Sequence, residues 1–333
     1  MNICYVGNSV SSQKLSYRDT LSNLISQNFR SEKFINCTLG GIGSLGISFF
    51  IDQFIGENKV DICFLETFVA DLGGATPTKY LRQALNGIVQ NPKLKNSKII
   101  PIYLYRSDIE LEQFNLIHQI YNDVFLNINI SPLNIYSHVE KEVFCGHACA
   151  NELLYDQVHT TPHGAEFYAH LIFSHFQQAL QSQSDDSKFI RKNEGFVPAL
   201  LGPIETYACD GKFSMGRFRL LLPYIQIAQN NSVVLTTDDF SCVGLVVIAD
   251  SETGVVQINY EDWSQTAQIY DQWCENARIQ VVIFKEIIPP HKKFLVAASN
   301  ANSAGYGANL TPNNNTQLGQ NIKIVRMMAF NLK

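Results

Sequence analysis

A serine near the start of the chain and a later aspartate–histidine pair have the residue types of a nucleophilic active site. Ser9 follows a short apolar run in the segment Gly7-Asn8-Ser9, and Asp156 stands three residues before His159. Positions i and i+3 lie on the same side of a turn, so the carboxylate can fix the tautomer of the imidazole and stabilise its protonated form. An imidazole held in this way can activate a serine for acyl transfer. We therefore take Ser9, His159 and Asp156 as candidate catalytic residues.

A glycine-rich segment at residues 39–46, Leu-Gly-Gly-Ile-Gly-Ser-Leu-Gly, offers backbone donors for such a reaction. Its glycines near position 41 could bring N–H groups close to a developing oxyanion. The same segment contains the dinucleotide-binding pattern G-x-G-x-x-G, with Glu66 placed where a ribose-binding acid is expected. That pattern normally follows the first strand of its fold, and it leaves Ser9 and His159 unexplained. The oxyanion interpretation is therefore favoured, and the dinucleotide interpretation is kept as the alternative.

The elements that must position these residues alternate between apolar and amphipathic segments over about residues 1–180. The short apolar runs are Ile3–Val6, Phe34–Leu39, Val60–Leu65, Ile99–Leu104 and residues around Leu133–Tyr136. The amphipathic stretches are Tyr17–Phe29, Ile47–Ile55, Lys79–Val89, Leu111–Phe125 and about His163–Ala179. Alternation of this kind predicts a three-layer α/β/α fold with about five parallel strands. Ligands bind beyond the carboxyl ends of such strands, which is where Ser9 is expected.

The pattern of apolar and polar residues changes after this region, which divides the chain into two parts. The polar residues 181–194 are typical of a linker. Residues 195–333 contain strand-like runs separated by turn-forming clusters, which predicts an all-β sandwich domain. These runs are Arg217–Leu222, Ser232–Thr237, Val243–Ile248, Val255–Tyr260, Ile279–Ile283, Lys293–Ala298 and Ile322–Phe330. Tyr260, Trp263 and Trp273 could stack on sugar rings, although aromatic residues of a sandwich more often belong to its core.

Composition narrows the classes of partner. The chain has 333 residues, 46% of them apolar, with a net charge of −5 and no basic block. These values fit two folded domains and disfavour nucleic acid or an anionic membrane as partners. The first residues lack the features of a signal peptide, and no segment has the length of a membrane span. A cytoplasmic location is therefore predicted.

The eight cysteines are interpreted as free thiols, as expected in a reducing compartment. Cys4, Cys37 and Cys63 lie in apolar runs and are predicted to be core residues. Cys145, His147 and Cys149 could bind a soft metal, but no fourth ligand is evident. We therefore predict no metal and no cofactor.

Together these segments resemble the conserved blocks of the SGNH (GDSL-type) hydrolase superfamily over about residues 1–180. Gly7-Asn8-Ser9 resembles the nucleophile block, residues 36–43 the second block, and Asp156-Gln-Val-His159 with the later Gly164 the block that carries acid and base. The resemblance implies a flavodoxin-like α/β fold, a Ser9–His159–Asp156 triad, and an oxyanion hole that includes the backbone N–H groups of Ser9 and Gly41.

The third block departs from the family pattern G-x-N-D. The matching residues are Phe68, Val69, Ala70 and Asp71, so the side chain that completes the oxyanion hole in the family is replaced by the methyl group of Ala70. Loss of one such donor costs on the order of 2.7–4 kcal/mol of transition-state stabilisation. The side chains of Asn8 and Thr67 are candidate replacements.

The resemblance implies a serine esterase, and the extra β domain suggests that its substrate is a carbohydrate carrying O-acetyl or other short acyl groups. Two alternatives stay open: an acyltransferase onto a glycan or sugar precursor that uses the same triad, and a non-catalytic glycan-binding protein. Arg106, just past the fourth predicted strand, is a candidate for substrate binding. The expected partner is a small-molecule or glycan ester.

Overall fold

The computed structural model describes residues 1–31, 33–146, 149–181, 199–202, 210–215, 220–251, 253–269, 277–299 and 321–330. The chain divides into two compact units, Met1–Phe196 and Val197–Lys333. Of the predicted linker at residues 181–194, Gln181 ends a helix and the remainder lies outside the described residues. The domain bounds 1–180 and 195–333 stay predictions.

The first unit is built on a parallel five-stranded sheet. Its strands are β1 (Asn2–Gly7), β2 (Lys33–Thr38), β3 (Ile62–Glu66), β4 (Lys98–Tyr103) and β5 (Leu133–Asn134). They lie in the order β2-β1-β3-β4-β5, and every adjacent pair is parallel. All residues of β3 are buried, as expected for a strand covered on both faces. The predicted α/β fold is confirmed.

Helices connect these strands. They are α1 (Ser9–Ser12), α2 (Tyr17–Asn28), α3 (Ser44–Ile55), α4 (Phe68–Leu72), α5 (Thr78–Val89), α6 (Leu111–Leu126), α7 (Ile135–Phe144), α8 (Ala150–Leu153) and α9 (Pro162–Gln181), with a 3₁₀ turn at Pro92–Leu94. Helix α2 packs against α9, and α3 packs against α5. The described helices do not combine the length and apolar composition that a membrane crossing needs.

The core of this unit explains the burial of three cysteines. Cys4 pairs with Cys63 in the β1–β3 register, and its Sγ lies 3.5 Å from the Sγ of Cys37. All three thiols are buried, and none of them forms a disulfide. Their prediction as core residues is confirmed.

The second unit consists of antiparallel sheets. Its described strands are β6 (Ala199–Gly202), β7 (Gly211–Met215), β8 (Leu220–Ile227), β9 (Ser232–Thr236), β10 (Ser241–Ala249), β11 (Val255–Tyr260), β12 (Trp263–Gln268), β13 (Arg278–Ile288), β14 (Lys293–Ser299) and β15 (Ile322–Phe330). One sheet has the order β13-β10-β15-β8-β7 with β6 on β15, and the other has the order β12-β11-β14-β9.

The two sheets of this unit share one hydrophobic core. Leu245 and Phe284 from the larger sheet and Val256 and Phe294 from the smaller one belong to the same buried cluster. The predicted all-β sandwich is confirmed. Strand β12 was not predicted, because most of its side chains are only partly buried and its sequence, Trp-Ser-Gln-Thr-Ala-Gln, carries little apolar signal.

The aromatic residues proposed for sugar binding in this unit are mainly structural. Tyr260 is buried, and Trp263 packs against the core. Trp273 lies outside the described residues.

Candidate active site

The serine candidate begins a short helix at the carboxyl end of strand β1. The side chain of Asn8 caps this helix by accepting a hydrogen bond from the N–H of Val10 at 3.0 Å. A Cβ atom at Gly7 would lie 2.6 Å from Ser11 Oγ and 2.8 Å from the carbonyl oxygen of Glu66. Only glycine therefore allows β3 and α1 to approach the strand end so closely, and this approach fixes where Ser9 emerges.

Ser9, His159 and Asp156 form a continuous chain of polar contacts. Ser9 Oγ lies 3.0 Å from His159 Nε2, and His159 Nδ1 lies 2.6 Å from Asp156 Oδ2. When Nδ1 carries the proton that faces the carboxylate, Nε2 is left as an acceptor for the serine hydroxyl. The residues that sequence spacing selected are thus brought together in the order that nucleophilic catalysis needs.

Local hydrogen bonds keep the Asp156 carboxylate ionised. Its Oδ1 accepts hydrogen bonds from the backbone N–H groups of Val158 at 2.8 Å and His159 at 2.7 Å. Partial burial alone raises the pKa of Asp156, but these two donors and the His159 ring outweigh it and hold that pKa below its ordinary value. Asp156 can therefore stabilise an imidazolium near neutral pH.

Further contacts hold the Asp156–His159 loop beside the serine. Gln13, which follows α1, donates through Nε2 to the carbonyl oxygen of Thr160 at 3.0 Å and to its Oγ1 at 2.8 Å. A Cβ atom at Gly164 would lie 2.0 Å from the carbonyl oxygen of Leu153, so glycine lets α9 pack directly on the backbone that precedes the loop. This contact gives a packing reason for the glycine that trails the pair.

The second block places glycine backbone next to the nucleophile. A Cβ atom at Gly40 would lie 3.8 Å from the Cβ of Ser9, and the N–H of Leu39 donates to the carbonyl oxygen of Gly7 at 2.9 Å. Gly41 is exposed and has a φ of 73°, a conformation that favours glycine. The loop after β2 therefore lies against the turn that carries Ser9.

The third block commits its polar side chains to a buried network. Asp71 accepts hydrogen bonds from the backbone N–H of Ser44 at 3.0 Å and from the hydroxyl group of Tyr121. The hydroxyl of Thr67 lies 2.9 Å from that of Tyr121 and is fully buried. Burial raises the pKa of Asp71. Thr67 is therefore occupied in the core and does not replace the donor that Ala70 lacks.

The side chain of Asn8 is also committed elsewhere. It is 1% exposed, and its Nδ2 donates to Glu66 Oε1 at 3.2 Å while its oxygen caps α1. Asn8 thus supports the nucleophile turn, which corrects the oxyanion role suggested for its side chain. The backbone N–H groups of Ser9 and Gly41 remain the candidate donors.

Glu66 is a site residue whose role the sequence did not reveal. Its carboxyl group is fully buried and accepts hydrogen bonds from Asn8 Nδ2 and, at 2.9 Å, from Ser11 Oγ. Burial raises its pKa to about 8 despite these donors. This buried position removes the ribose-binding acid that the dinucleotide interpretation needs. In the sequence, the signal that could have indicated this role was the position of a charged residue at the end of an apolar run.

Arg106 lies in the segment after β4, next to the Asp156–His159 loop. The N–H of Ser107 donates to the carbonyl oxygen of Gln157 at 3.0 Å. The guanidinium group of Arg106 pairs with Asp108, with Nε 2.7 Å from Oδ1 and Nη2 2.9 Å from Oδ2. Its role in substrate binding stays a prediction, because the charge already has a carboxylate partner.

The residues considered for a metal do not form a cluster in the described part of the chain. Among described residues, no group of three or more His, Cys, Asp and Glu side chains has the geometry of a metal site. Cys145 and Cys149 are exposed, and His147 lies outside the described residues.

Comparison with solved structures identifies proteins of the same fold. A two-domain esterase active on acetylated mannans matches with a TM-score of 0.71 and 12% identity, over 99% of this chain and 91% of that chain. The same esterase co-crystallised with mannopentaose matches with a TM-score of 0.67 and 13% identity, over 99% and 90% of the two chains. No protein-family model and no curated protein matches the sequence.

These likenesses cover 99% of the chain and therefore extend over both units. The sequence segments around Ser9 and His159 lie at the carboxyl edge of the parallel sheet. The first unit thus combines a five-stranded parallel sheet with the Gly7-Asn8-Ser9 and Asp156–His159 segments in adjacent loops. The chain therefore shares the fold of this two-domain esterase, with a parallel α/β unit followed by a β-sandwich unit.

Proposed function

We propose that this protein is a serine esterase that removes O-acetyl or other short acyl groups from a carbohydrate. The observation that carries the proposal is the contact chain from Ser9 Oγ to His159 Nε2 and from His159 Nδ1 to Asp156 Oδ2, at 3.0 and 2.6 Å. The likeness to an esterase active on acetylated mannans supports a carbohydrate as the alcohol part of the substrate.

In the proposed first step, Ser9 Oγ attacks the carbonyl carbon of the ester while His159 Nε2 accepts the hydroxyl proton. Asp156 stabilises the imidazolium that forms. The negative charge on the carbonyl oxygen is held by the backbone N–H groups of Ser9 and Gly41. The N–H of Ser9 belongs to the first turn of α1, where backbone donors have no acceptor within the helix.

In the second half of the reaction, the bond between the carbonyl carbon and the sugar oxygen breaks, and His159 gives its proton to that oxygen. The free sugar hydroxyl leaves, and the acyl group stays on Ser9. Water then attacks the acyl-enzyme, with His159 accepting a proton from the water and returning one to Ser9 Oγ. The products are a carboxylic acid and the deacylated carbohydrate.

The function is tested by measuring acetate release by the full chain from acetylated mannan, acetylated xylan and acetylated cello-oligosaccharides. We expect release from at least one of these, and none from the Ser9→Ala variant of equal thermal stability. Absence of hydrolysis of all three by folded protein would contradict the proposal.

The same assay separates the acyltransferase alternative. When deacetylated oligosaccharide is added as an acceptor, a hydrolase releases acetate at a rate that the acceptor changes little. Acyl transfer to the acceptor that exceeds acetate release would instead identify a transferase. No hydrolysis and no transfer, together with glycan binding, would favour the non-catalytic alternative.

A further inference from the structure

Tyr155 has a fixed position beside the imidazole of His159. The two rings are nearly parallel, with an interplanar angle of 12° and centroids 5.6 Å apart. The N–H of Tyr155 donates to the carbonyl oxygen of His159 at 3.0 Å, and the neighbours Leu154 and Thr160 form an antiparallel bridge. The backbone therefore holds the tyrosine ring in register with the candidate catalytic base.

The tyrosine ring is open to solvent although it touches the histidine. Tyr155 is 66% exposed, whereas the side chain of His159 is 22% exposed. Parallel rings in van der Waals contact are about 3.5–4 Å apart, so a centroid distance of 5.6 Å means a sideways offset of about 4 Å. Part of the Tyr155 ring thus extends past the imidazole as an apolar surface.

The reaction chemistry places the alcohol part of the ester beside the imidazole of His159. His159 Nε2 must come within about 3 Å of the leaving oxygen in order to protonate it. The group attached to that oxygen therefore lies beside the imidazole against whose face the Tyr155 ring stacks. In a carbohydrate ester that group is a pyranose ring, whose C–H face is apolar and can be buried against an aromatic ring.

We propose that Tyr155 is the platform on which the sugar ring carrying the scissile ester packs, and that it makes the site selective for esters of cyclic sugars over small acyclic esters. This inference rests on the proposed function and adds to it the position of the leaving-group sugar. It assigns Tyr155 a binding role and leaves the chemistry to Ser9 and His159.

The test compares two acetate esters that differ in the alcohol. One is methyl mannopyranoside monoacetate, which has a sugar ring, and the other is vinyl acetate, which has none. For Tyr155→Ala we expect kcat/KM to fall at least about tenfold more for the sugar ester than for vinyl acetate, mainly through KM. Tyr155→Phe keeps the ring and should retain most of the activity on the sugar ester.

A second readout uses the alcohol product, which occupies the same subsite. Methyl mannopyranoside should inhibit vinyl acetate hydrolysis competitively in the wild type, with an inhibition constant at least about fivefold higher in Tyr155→Ala. Phe144→Ala is the matched control, because Phe144 is a 90% exposed aromatic residue on α7. It should leave both kinetic constants and the inhibition constant unchanged.

The outcomes separate this inference from the function on which it rests. Equal losses on both esters in Tyr155→Ala would show that Tyr155 only supports His159, and no loss on either would show that its ring binds nothing; both overturn the platform. Wild-type protein that cleaves vinyl acetate but not the sugar ester would contradict the carbohydrate part of the proposed function, and the platform with it.

Discussion

The nucleophile side and the oxyanion side of the candidate active site are built differently. On the nucleophile side, Ser9, His159 and Asp156 each use polar atoms that point at the next residue, over 3.0 and 2.6 Å. On the oxyanion side, Asp71 uses its polar atoms to bind the core, and Ala70 offers no donor. The same edge of the sheet thus carries the contacts between the three candidate catalytic residues and, beside them, the buried hydrogen bonds of Asp71.

A departure from a family pattern therefore has to be judged by the contacts that the remaining polar groups make. Asn8 and Thr67 were the nearest side chains able to replace the lost donor. Both are at most 1% exposed, and both already donate or accept within buried clusters. The proposed function therefore predicts reduced stabilisation of the oxyanion at this site, whereas the three side chains proposed for base catalysis are in contact.

A substitution at Asp156 tests the nucleophile side and should change the activity most. Asp156→Asn removes the charge that stabilises the imidazolium and favours the wrong tautomer of His159, so kcat should fall by roughly 10⁴-fold. Ester hydrolysis measured with vinyl acetate checks this, with Asp19→Asn as the control at an exposed carboxylate. An Asp156→Asn variant that keeps more than a tenth of the activity would show that this pair is only a loop contact.

A substitution at Ala70 tests the oxyanion side and should change the activity by a smaller factor. Ala70→Asn restores a side-chain amide at the position that the third block occupies, and kcat should rise by about tenfold or more because one donor is worth 10²–10³ in related sites. Ala70→Leu is the control, since leucine is branched at Cγ as asparagine is but has no donor. No gain in Ala70→Asn relative to Ala70→Leu would mean that the oxyanion is already fully held.

A smaller effect, on stability, is expected from Glu66, whose carboxyl group contacts Asn8 and Ser11 next to the nucleophile turn. Its ordinary pKa is 4.5, and burial raises this to about 8 in the folded protein. Between these values the unfolded chain binds fewer protons than the folded one, so the free energy of unfolding falls as pH rises, by at most about 1.4 kcal/mol per pH unit. Below the unfolded pKa this contribution to stability is fully present, and it is lost as pH rises through the folded pKa.

Glu66→Gln removes this titration while keeping an oxygen to accept from Asn8 and an amide to face Ser11. The melting temperature of the variant relative to wild type should therefore increase between pH 5 and pH 8. Glu57→Gln is the control, because that side chain is fully exposed. A difference between Glu66→Gln and wild type that does not change with pH would show that Glu66 is already ionised at pH 5.

Much of the fold follows from the sequence because buried parallel strands leave a plain signal. The apolar runs at Ile3–Val6 and Ile99–Leu104 lie within one or two residues of β1 and β4. Short helices such as α1 and α4 were missed, because four or five residues are too few to show a helical period. Their positions depend on tertiary packing.

The residues of the candidate site likewise include some that the sequence could predict and some that it could not. The types and spacing of Ser9, Asp156 and His159 were sufficient to select them, since their chemistry is rare in combination. The buried contacts of Glu66 and the stacking of Tyr155 on His159 could not be predicted, because they depend on side chains that meet only after folding. Sequence patterns thus select candidate reacting groups, whereas the contacts around them become visible only in the folded structure.

Covalent labelling shows directly whether Ser9 is the nucleophile. The full chain is treated with a fluorophosphonate, and its intact mass and proteolytic peptides are measured. We expect one adduct, on the peptide that contains Ser9, which is absent in Ser9→Ala and forms far more slowly in His159→Ala. Folded protein that acquires no adduct, or acquires it on another residue, would contradict the assignment of Ser9 as the nucleophile.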